Sequence, residues 1–197
     1  MAKSINFDRK NMPNQIIIFL LDTVVGLFST ALLLRFYVQL SRVPYYHPFS
    51  RFLVTVTDFV VRPARRVIPS WRGLDISTFV LAWLAQFIIL AGINMLGGFG
   101  AGGSALAFVL LALVKLAGTT LNILLITIIV QSVLSWINPH SPLAPVLESF
   151  SGPILRPLQR IIPPIANIDL SPLFAFILLQ ALLMVVENLQ RQIMHIF

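Results

Sequence analysis

Two arginines and an aspartate recur in a fixed pattern at two places in the chain. The stretch RPARRVIPSWRGLDIS begins at Arg62, and RPLQRIIPPIANIDLS begins 94 residues later, at Arg156. Both fit RPxxRxIPxxxxxDxS, in which the two arginines are four residues apart and share one face wherever the segment is helical. Guanidinium groups bind carboxylates and phosphates, and the following aspartate supplies a carboxylate. The motif therefore predicts either an internal ion pair or a site for an anion.

The prolines and serines of the motif predict how it folds. The first proline of each copy suits the first turn of a short helix and the second ends that helix, while Ser77 and Ser171 are placed to cap the apolar runs that follow. An aspartate just before a helix is favoured by the helix dipole. The candidate residues are Arg62, Pro63, Arg66, Pro69 and Asp75 in the first copy and Arg156, Pro157, Arg160, Pro163 and Asp169 in the second.

Two roles for these residues stay open. One is a structural Arg–Asp brace that folds each loop back onto the membrane surface. The other is binding of an anionic lipid headgroup or a phosphate, because Arg62, Arg65, Arg66 and Arg72 form a denser cluster than one aspartate requires. We expect no nucleic-acid partner, because the chain contains no recognised nucleic-acid-binding module.

The elements that position this motif are membrane helices. Of the 197 residues, 57% are hydrophobic and only 11% charged, whereas soluble domains carry about 25% charged residues. Four apolar runs are near or beyond the roughly 20 residues that cross a bilayer. We therefore predict an all-α membrane protein with transmembrane helices over residues 16–40, 76–96, 104–137 and 170–190.

The chain is an internal duplication. A shift of 94 residues aligns the two motifs and also pairs Gln86 with Gln180 and Asn94 with Asn188. The predicted organisation is a basic N-terminal segment, a first repeat, a Gly-rich linker, a second repeat and a C-terminal tail, over residues 1–15, 16–96, 97–103, 104–190 and 191–197. Each repeat is a helix–loop–helix unit with two spans, so the repeats run parallel, and we expect a pseudo-two-fold axis along the membrane normal between them.

Each loop is predicted to carry an amphipathic helix that lies in the membrane interface, over residues 48–62 and 145–158. In the second loop we expect Pro145 to delay the start of the helix and Gly152-Pro153 to break it near its end. In the first loop the expected apolar stripe consists of Phe49, Phe52, Leu53, Val56, Phe59 and Val60. The third span is longer than a bilayer requires, so it must tilt, protrude or bend near Gly118.

Several polar residues fall inside the predicted spans, where a charge is costly and is a functional candidate by default. They are Asp22, Arg35, Gln86, Lys115, Gln180 and Glu187. The repeat register places Asp22 and Lys115 at nearly equal depth, which predicts an ion pair, and predicts that Gln86 and Gln180 meet near the midplane. These groups either lock the helix packing or form a polar path for an ion or proton.

The remaining composition argues against an enzyme. The chain has no cysteine, which excludes disulfides, thiolate metal sites and cysteine nucleophiles. Its three histidines do not form an HExxH motif, although His47 and His140 could be imagined as a pair of ligands. We therefore expect no catalytic residues, no metal and no cofactor.

The distribution of basic residues predicts the orientation. Arginines concentrate in the two loops that carry the motif, and the positive-inside rule then places these loops in the cytoplasm and both termini in the periplasm. The basic segment before the first span argues for the opposite orientation.

The duplicated unit, with its HP- or NP-containing loop followed by RPxxRxIP, an aspartate and a span, resembles the YggT (also YlmG) family of bacterial and plastid membrane proteins. The resemblance runs from about Ile16 to Asn188 and is carried by HPFSRFLVTVTDFVVRPARRVIPSWRGLDIS and HSPLAPVLESFSGPILRPLQRIIPPIANIDLS. It implies a multi-pass protein of the bacterial inner membrane with no established catalytic activity. It further implies a link to osmotic-stress tolerance and ion homeostasis, or, by its plastid members, to cytochrome b haem maturation and nucleoid distribution.

We therefore expect a non-enzymatic membrane scaffold or accessory factor in osmotic stress and ion homeostasis. One alternative is a small ion channel or transporter, which would have to form an oligomer to enclose a pore. A second is an assembly factor that binds a protein partner or anionic lipid through its arginine loops. The expected partners are the lipid bilayer and its anionic headgroups, an unknown membrane protein and further copies of the chain.

Overall fold

In a computed structural model of the protein, the chain is described over residues 12–41, 47–68, 75–95, 104–138, 141–162 and 169–196. All regular secondary structure within these ranges is helical. The helices are α1 (Met12–Leu40), α2 (Pro48–Ala64), α3 (Ile76–Met95), α4 (Ala105–Ile137), α5 (Ala144–Ile161) and α6 (Ser171–Ile196).

Four of these helices are long and apolar enough to cross a membrane. The candidate spans are Gln15–Leu40, Ile76–Asn94, Ala105–Ile137 and Ser171–Met194. The predicted all-α membrane fold with four spans is therefore confirmed. The helix bounds differ most from the prediction near the two ends of the chain. Helix α1 begins at Met12, within the predicted N-terminal segment, and α6 continues through the predicted tail to Ile196. Pro13 is compatible with this early start because proline is tolerated in the first turn of a helix.

The two repeats pair their helices in the same way. Helix α1 packs against α3 and α4 against α6, while α2 contacts both spans of the first repeat and α5 both spans of the second. Two side-chain hydrogen bonds join α1 to α4 within the described residues, from Lys115 to Asp22 and from Tyr37 to Thr120. The later residue of α1 contacts the later residue of α4, as expected for parallel repeats.

The predicted pseudo-two-fold axis between the repeats is wrong. Helix α3 packs against α4, and a two-fold axis would require the equivalent contact between α6 and α1. Within the described residues these two helices do not touch. The repeats are therefore joined by a one-sided interface, which leaves the outer faces of α1 and α6 open.

The loop helices are longer and more continuous than predicted. Helix α5 begins at Ala144, one residue before Pro145, and runs unbroken through Pro153 and Pro157. Proline is harmless in a first turn because the N–H it lacks has no partner there. The motif arginines thus do not form a separate short helix. Arg62 lies in the last turn of α2 and Arg66 in the turn that follows it, while Arg156 and Arg160 lie in the C-terminal part of α5.

The predicted apolar stripe of α2 is not the face that packs against the rest of the protein. The face that packs against the protein consists of Ser50, Leu53, Thr57 and Val61. The large apolar side chains of the predicted stripe point outwards, with Phe52 63% and Phe59 71% exposed. In a bilayer the largest apolar residues can face lipid, so the more apolar side of an amphipathic helix need not be its protein-facing side.

The core of the bundle uses small residues where helices approach closely. Ala82, Ala112 and Ala175 are fully buried, and Gly118 lies where α4 contacts α6. A Cβ atom added to Gly118 would lie 3.3 Å from Cγ1 of Val186. Helix α4 runs without interruption through Gly118, so this glycine permits a close helix–helix contact.

We expect Gly118→Val to lower the free energy of unfolding by about 1–3 kcal/mol, because the added methyl groups overpack the α4–α6 contact. Gly26→Val is the matched control, since no atom lies within 4 Å of a Cβ added to Gly26. Thermal unfolding of both variants in detergent micelles measures the difference. Equal losses would show that packing at the α4–α6 contact does not explain the effect.

Candidate functional site

A buried arginine joins the first span to the first loop helix. Arg35 in α1 is 3% exposed, and its guanidinium donates to Oγ1 of Thr57 at 2.8 Å and to Oδ1 of Asp58 at 3.1 Å, both in α2. We call Arg35, Thr57 and Asp58 the Arg35 clamp. The clamp adds polar contacts to the apolar packing of Val38 against Leu53 and so holds the loop helix against the end of the first span.

Asp58 has a second cationic partner in the motif itself. Nε of Arg62 lies 2.6 Å from Oδ2 of Asp58, one helical turn away. Burial acts to raise the pKa of Asp58, but the hydrogen bond and charge of Arg35, together with Arg62, outweigh it and hold this pKa below its usual value. The first arginine of the motif is thus neutralised within its own helix.

The predicted Arg–Asp brace exists in the first repeat, but a different arginine forms it. Arg65 donates to Oδ2 of Asp75 from Nε at 2.8 Å and from a terminal nitrogen at 2.5 Å. Asp75 is 3% exposed, and its backbone N–H donates to Oε1 of Gln39 at 3.1 Å. The ends of α1 and α2 and the start of α3 therefore meet at Asp75, whereas Arg62 and Arg66 do not contact it.

The second repeat forms the equivalent brace with an uncharged donor. Nε2 of Gln159, the residue aligned with Arg65, donates to Oδ2 of Asp169 at 2.8 Å. Oδ1 of Asp169 accepts from the backbone N–H of Ser171 at 2.9 Å. Burial acts to raise the pKa of Asp169, but these hydrogen bonds to the carboxylate outweigh it and lower the pKa. The predicted arginine brace is wrong here, because neither Arg156 nor Arg160 takes part.

The predicted serine caps are also wrong. Helix α3 starts at Ile76, and the carbonyl of Asp75 accepts from the backbone N–H of Thr78 at 3.1 Å. The Ser77 hydroxyl donates instead to the carbonyl of Ile68 at 2.9 Å, which ties the end of the first motif to α3. In the second repeat Ser171 is already the first residue of α6. The cap hydrogen bond there is accepted by the Asp169 carboxylate from the backbone N–H of Ser171.

The two remaining arginines of the second motif border an open cavity. A terminal nitrogen of Arg156 lies 3.7 Å from Glu148, with both side chains about two-thirds exposed. Arg160 is exposed and forms no salt bridge within the described residues. Arg156 and Arg160 line a cavity of about 390 Å³. Pro69 and Pro163, the predicted helix stops, lie outside the described residues.

The predicted ion pair between the repeats is confirmed. Nζ of Lys115 lies 2.6 Å from Oδ1 of Asp22, at the depth of the apolar spans. The Lys115 side chain is 31% exposed and that of Asp22 is 47% exposed. The pair therefore lies at the edge of the α1–α4 contact and not inside a sealed core.

The other intramembrane polar residues do not form the predicted contacts. Gln86 is buried, and its Oε1 has no hydrogen-bond partner within the described residues. Helices α3 and α6 do not touch there, so the predicted meeting of Gln86 and Gln180 is wrong. Glu187 is exposed on α6 and joins no salt bridge within the same ranges. Equal depth does not imply contact, because helix neighbours decide which residues meet.

His47 has a structural role at the start of α2. Its Nδ1 accepts from the backbone N–H of Phe49 at 3.3 Å, and its Nε2 lies 2.9 Å from the carbonyl of Pro142. Both ring nitrogens are thus engaged, one in the cap of α2 and one in a link towards the second loop. His140, the other residue of the imagined ligand pair, lies outside the described residues.

Sequence reasoning missed the residues that join the helices. Gln39, Thr57, Asp58 and Gln159 were not candidates, and Arg65 was named only as part of the arginine cluster in the first loop. One signal was available, since Arg65 and Gln159 occupy the same repeat position and both can donate to a carboxylate. The motif is defined by residues that are identical in both repeats, so this position, where the repeats differ, is not part of it.

Comparison with known proteins identifies relatives over nearly the whole chain. The sequence model of the CCB3/YggT family matches residues 14–96 and 110–190, one segment in each repeat. An uncharacterized protein of Pseudomonas aeruginosa is 34% identical over 177 residues, covering 89% of this chain and 90% of that protein. The uncharacterized protein YggT of Escherichia coli strain K12 is 33% identical over 175 residues, covering 87% of this chain and 90% of that protein.

A shorter relative matches only part of the chain. The uncharacterized protein ycf19 of Guillardia theta is 33% identical over 72 residues, covering 35% of this chain and 79% of that protein. This matched length is close to that of one repeat. No solved structure matches the chain significantly.

We expect Arg65→Ala to lower the free energy of unfolding by about 1–3 kcal/mol, because it leaves the buried Asp75 carboxylate without its charged partner. Arg65→Gln should retain part of this stability, since a glutamine holds the equivalent aspartate in the second repeat. Arg66→Ala is the control, because Arg66 is exposed and does not contact Asp75. The brace is contradicted if thermal unfolding in detergent shows equal losses for Arg65→Ala and Arg66→Ala.

Proposed function

Because the chain belongs to the CCB3/YggT family and its interior charges join its own helices, we propose that it is a non-enzymatic membrane scaffold or accessory factor. The context proposed for this role is osmotic stress and ion homeostasis, in the bacterial inner membrane. The relatives are described only as uncharacterized, so this context rests on the family resemblance given above.

One observation carries the proposal: the least exposed charged side chains are occupied by partners in neighbouring helices. Arg35 and Asp75 are each 3% exposed, and their partners are Asp58 in α2 and Arg65, which directly follows α2. Removing one partner of a buried ion pair is strongly destabilising, because the remaining charge is left unpaired in a medium of low polarity. Such pairs favour a rigid framework. Neither the cavity of about 390 Å³ nor a second of about 270 Å³ is lined by these residues.

A second candidate function is a small oligomeric ion channel or transporter. It is favoured by the partial exposure of the Asp22–Lys115 pair at the depth of the spans. Polar groups at such a position mark ion paths in other membrane proteins. A single copy offers little lumen, so this function would require several copies to enclose a pore.

Charge variants of the pair separate the two functions. Asp22→Asn should lower the free energy of unfolding by about 1 kcal/mol, the scale of one polar contact between membrane helices. The exchange Asp22→Lys with Lys115→Asp should restore most of the stability lost in either single reversal. Glu187→Gln is the control, because it removes a carboxylate from α6 that joins no described salt bridge. Unfolding in detergent and ion flux in liposomes are measured on the same preparations.

If the protein is a scaffold, liposome flux is unchanged in every variant. Each variant is also expressed in Escherichia coli K12 lacking YggT, and growth at high osmolality is measured. For a scaffold, the growth restored is proportional to the amount of folded protein. A stably folded Asp22→Asn protein with altered flux would contradict the scaffold and support the channel. A YggT-deficient strain that grows normally at high osmolality would contradict the osmotic context.

We further propose that the arginine-rich loops face the cytoplasm and both termini the periplasm, in line with the positive-inside rule. Alkaline phosphatase fused after Phe197 is then expected to be active, and green fluorescent protein at the same point to be dark. The same pair of reporters inserted after Arg66 should give the reverse pattern. Fluorescence from the fusion after Phe197 would invert the assignment.

A further inference from the structure

The two repeats place the first arginine of the motif in different electrostatic surroundings. In the first repeat Nε of Arg62 lies 2.6 Å from the Asp58 carboxylate, which is also held by Arg35. The repeat register puts Gly152 where Asp58 stands and Ile129 where Arg35 stands. The second repeat therefore lacks both the carboxylate and its buried cation, yet it keeps the outer arginine as Arg156.

Arg156 lies over the space that the missing carboxylate would occupy. A Cβ atom added to Gly152 would be 3.3 Å from Nε of Arg156 and 3.5 Å from its Cζ. The nearest carboxylate, that of Glu148, is 3.7 Å away and largely exposed. Pairs of exposed charges at this distance attract each other only weakly, because solvent screens them. Arg156 is therefore a cation without a tight anionic partner.

Small residues in the second repeat leave space beside Arg156. Gly152 has no side chain, and Pro153 stands where the first repeat has the bulky Phe59. The resulting cavity of about 390 Å³ is bordered by Arg156 and Arg160, by the hydroxyl residues Ser41 and Ser149, and by the Gly152 backbone. No carboxylate lines it, and its volume is within the range of small-molecule sites.

The donors of this cavity suit an anion with several oxygens. Arg156 and Arg160 are four residues apart in the continuous helix α5, so both guanidinium groups can reach one ligand. Ser41 contributes a hydroxyl donor, while the Ser149 hydroxyl donates to the carbonyl of Pro145 at 2.7 Å and can only accept. Paired guanidinium groups match the geometry of phosphate oxygens and bind them with charge-assisted hydrogen bonds.

From this geometry we propose that the second repeat binds a phosphate-bearing anion between Arg156 and Arg160, with Ser41 as a further donor. Its source is a phospholipid headgroup or a free phosphate compound. Two features favour the headgroup. Ser41 directly follows the candidate span that ends at Leu40, and an apolar cavity of about 270 Å³ between α1, α4 and the adjacent face of α5 can hold an acyl chain. The site does not depend on the scaffold proposal.

The test uses the full-length protein in detergent micelles, titrated by calorimetry with either dioctanoylphosphatidylglycerol or inorganic phosphate. We expect one site per chain. Arg156→Gln with Arg160→Gln should weaken binding about tenfold or more, because two charge-assisted hydrogen-bond donors are lost. Gly152→Asp should weaken it similarly, because it restores the carboxylate that neutralises the equivalent arginine in the first repeat.

The matched control is Arg62→Gln with Arg66→Gln, which removes the same charge from the same motif positions of the first repeat. This control should change binding less than about threefold. All the substituted arginines are exposed, and thermal unfolding verifies that each variant is folded.

Tighter binding of the lipid than of inorganic phosphate assigns the site to a headgroup, and equal or tighter binding of phosphate assigns it to a free phosphate compound. Equal weakening in the test and control pairs would reveal only general charge attraction and would overturn the proposal. Absence of binding by both ligands would overturn it as well. None of these outcomes bears on growth at high osmolality, so the scaffold proposal is tested separately.

Discussion

The hydrogen-bonded ion pair between Arg35 and Asp58 is the interaction on which the arrangement of the first repeat depends. A guanidinium that is 3% exposed must find partners inside the protein, and the partners available are Thr57 and Asp58 on the loop helix. This requirement holds α2 against the end of α1. Once α2 is fixed, Arg65 reaches Asp75 and Gln39 accepts the Asp75 N–H, so the start of α3 is set by the same chain of contacts.

The second repeat keeps these helix contacts but makes them with neutral donors. The Ser151 hydroxyl, aligned with Thr57, donates to Gln131 of α4, and Gln159 replaces Arg65 at the brace. A neutral donor has a smaller desolvation cost than a buried guanidinium. The second copy can therefore lose the Arg35–Asp58 pair and still attach its loop helix to its spans. The loss has an electrostatic consequence. The charge of Arg62 is balanced by the Asp58 carboxylate, whereas the charge of Arg156 has no equivalent carboxylate beside it.

Much of the fold could be predicted from the sequence, because the signals for spans and duplication are strong. Four apolar runs, the shift of 94 residues and the pairing of Asp22 with Lys115 follow from length, register and the cost of an isolated charge in lipid. The brace residues could not be predicted in this way. Identity between repeats marks Arg62 and Arg66, whereas the brace is formed at a position that tolerates either Arg65 or Gln159. The relation between repeats also escaped prediction, because apolar patterns do not specify which helices become neighbours.

The polar contacts carry unusual weight because a bilayer weakens the usual driving force for packing. Lipid tails are as apolar as leucine, so membrane helices associate through close packing and polar contacts. In this chain the polar contacts cluster at the motif end of the bundle and at Asp22–Lys115 towards the other end. Between them the Ser29 hydroxyl donates to the carbonyl of Ala82 at 3.2 Å, and small residues such as Ala82, Ala112 and Gly118 permit close approach of the helices. Sequence change in the loop helices is therefore tolerated where these contacts persist, which explains how two copies of one motif can differ in charge on a common framework.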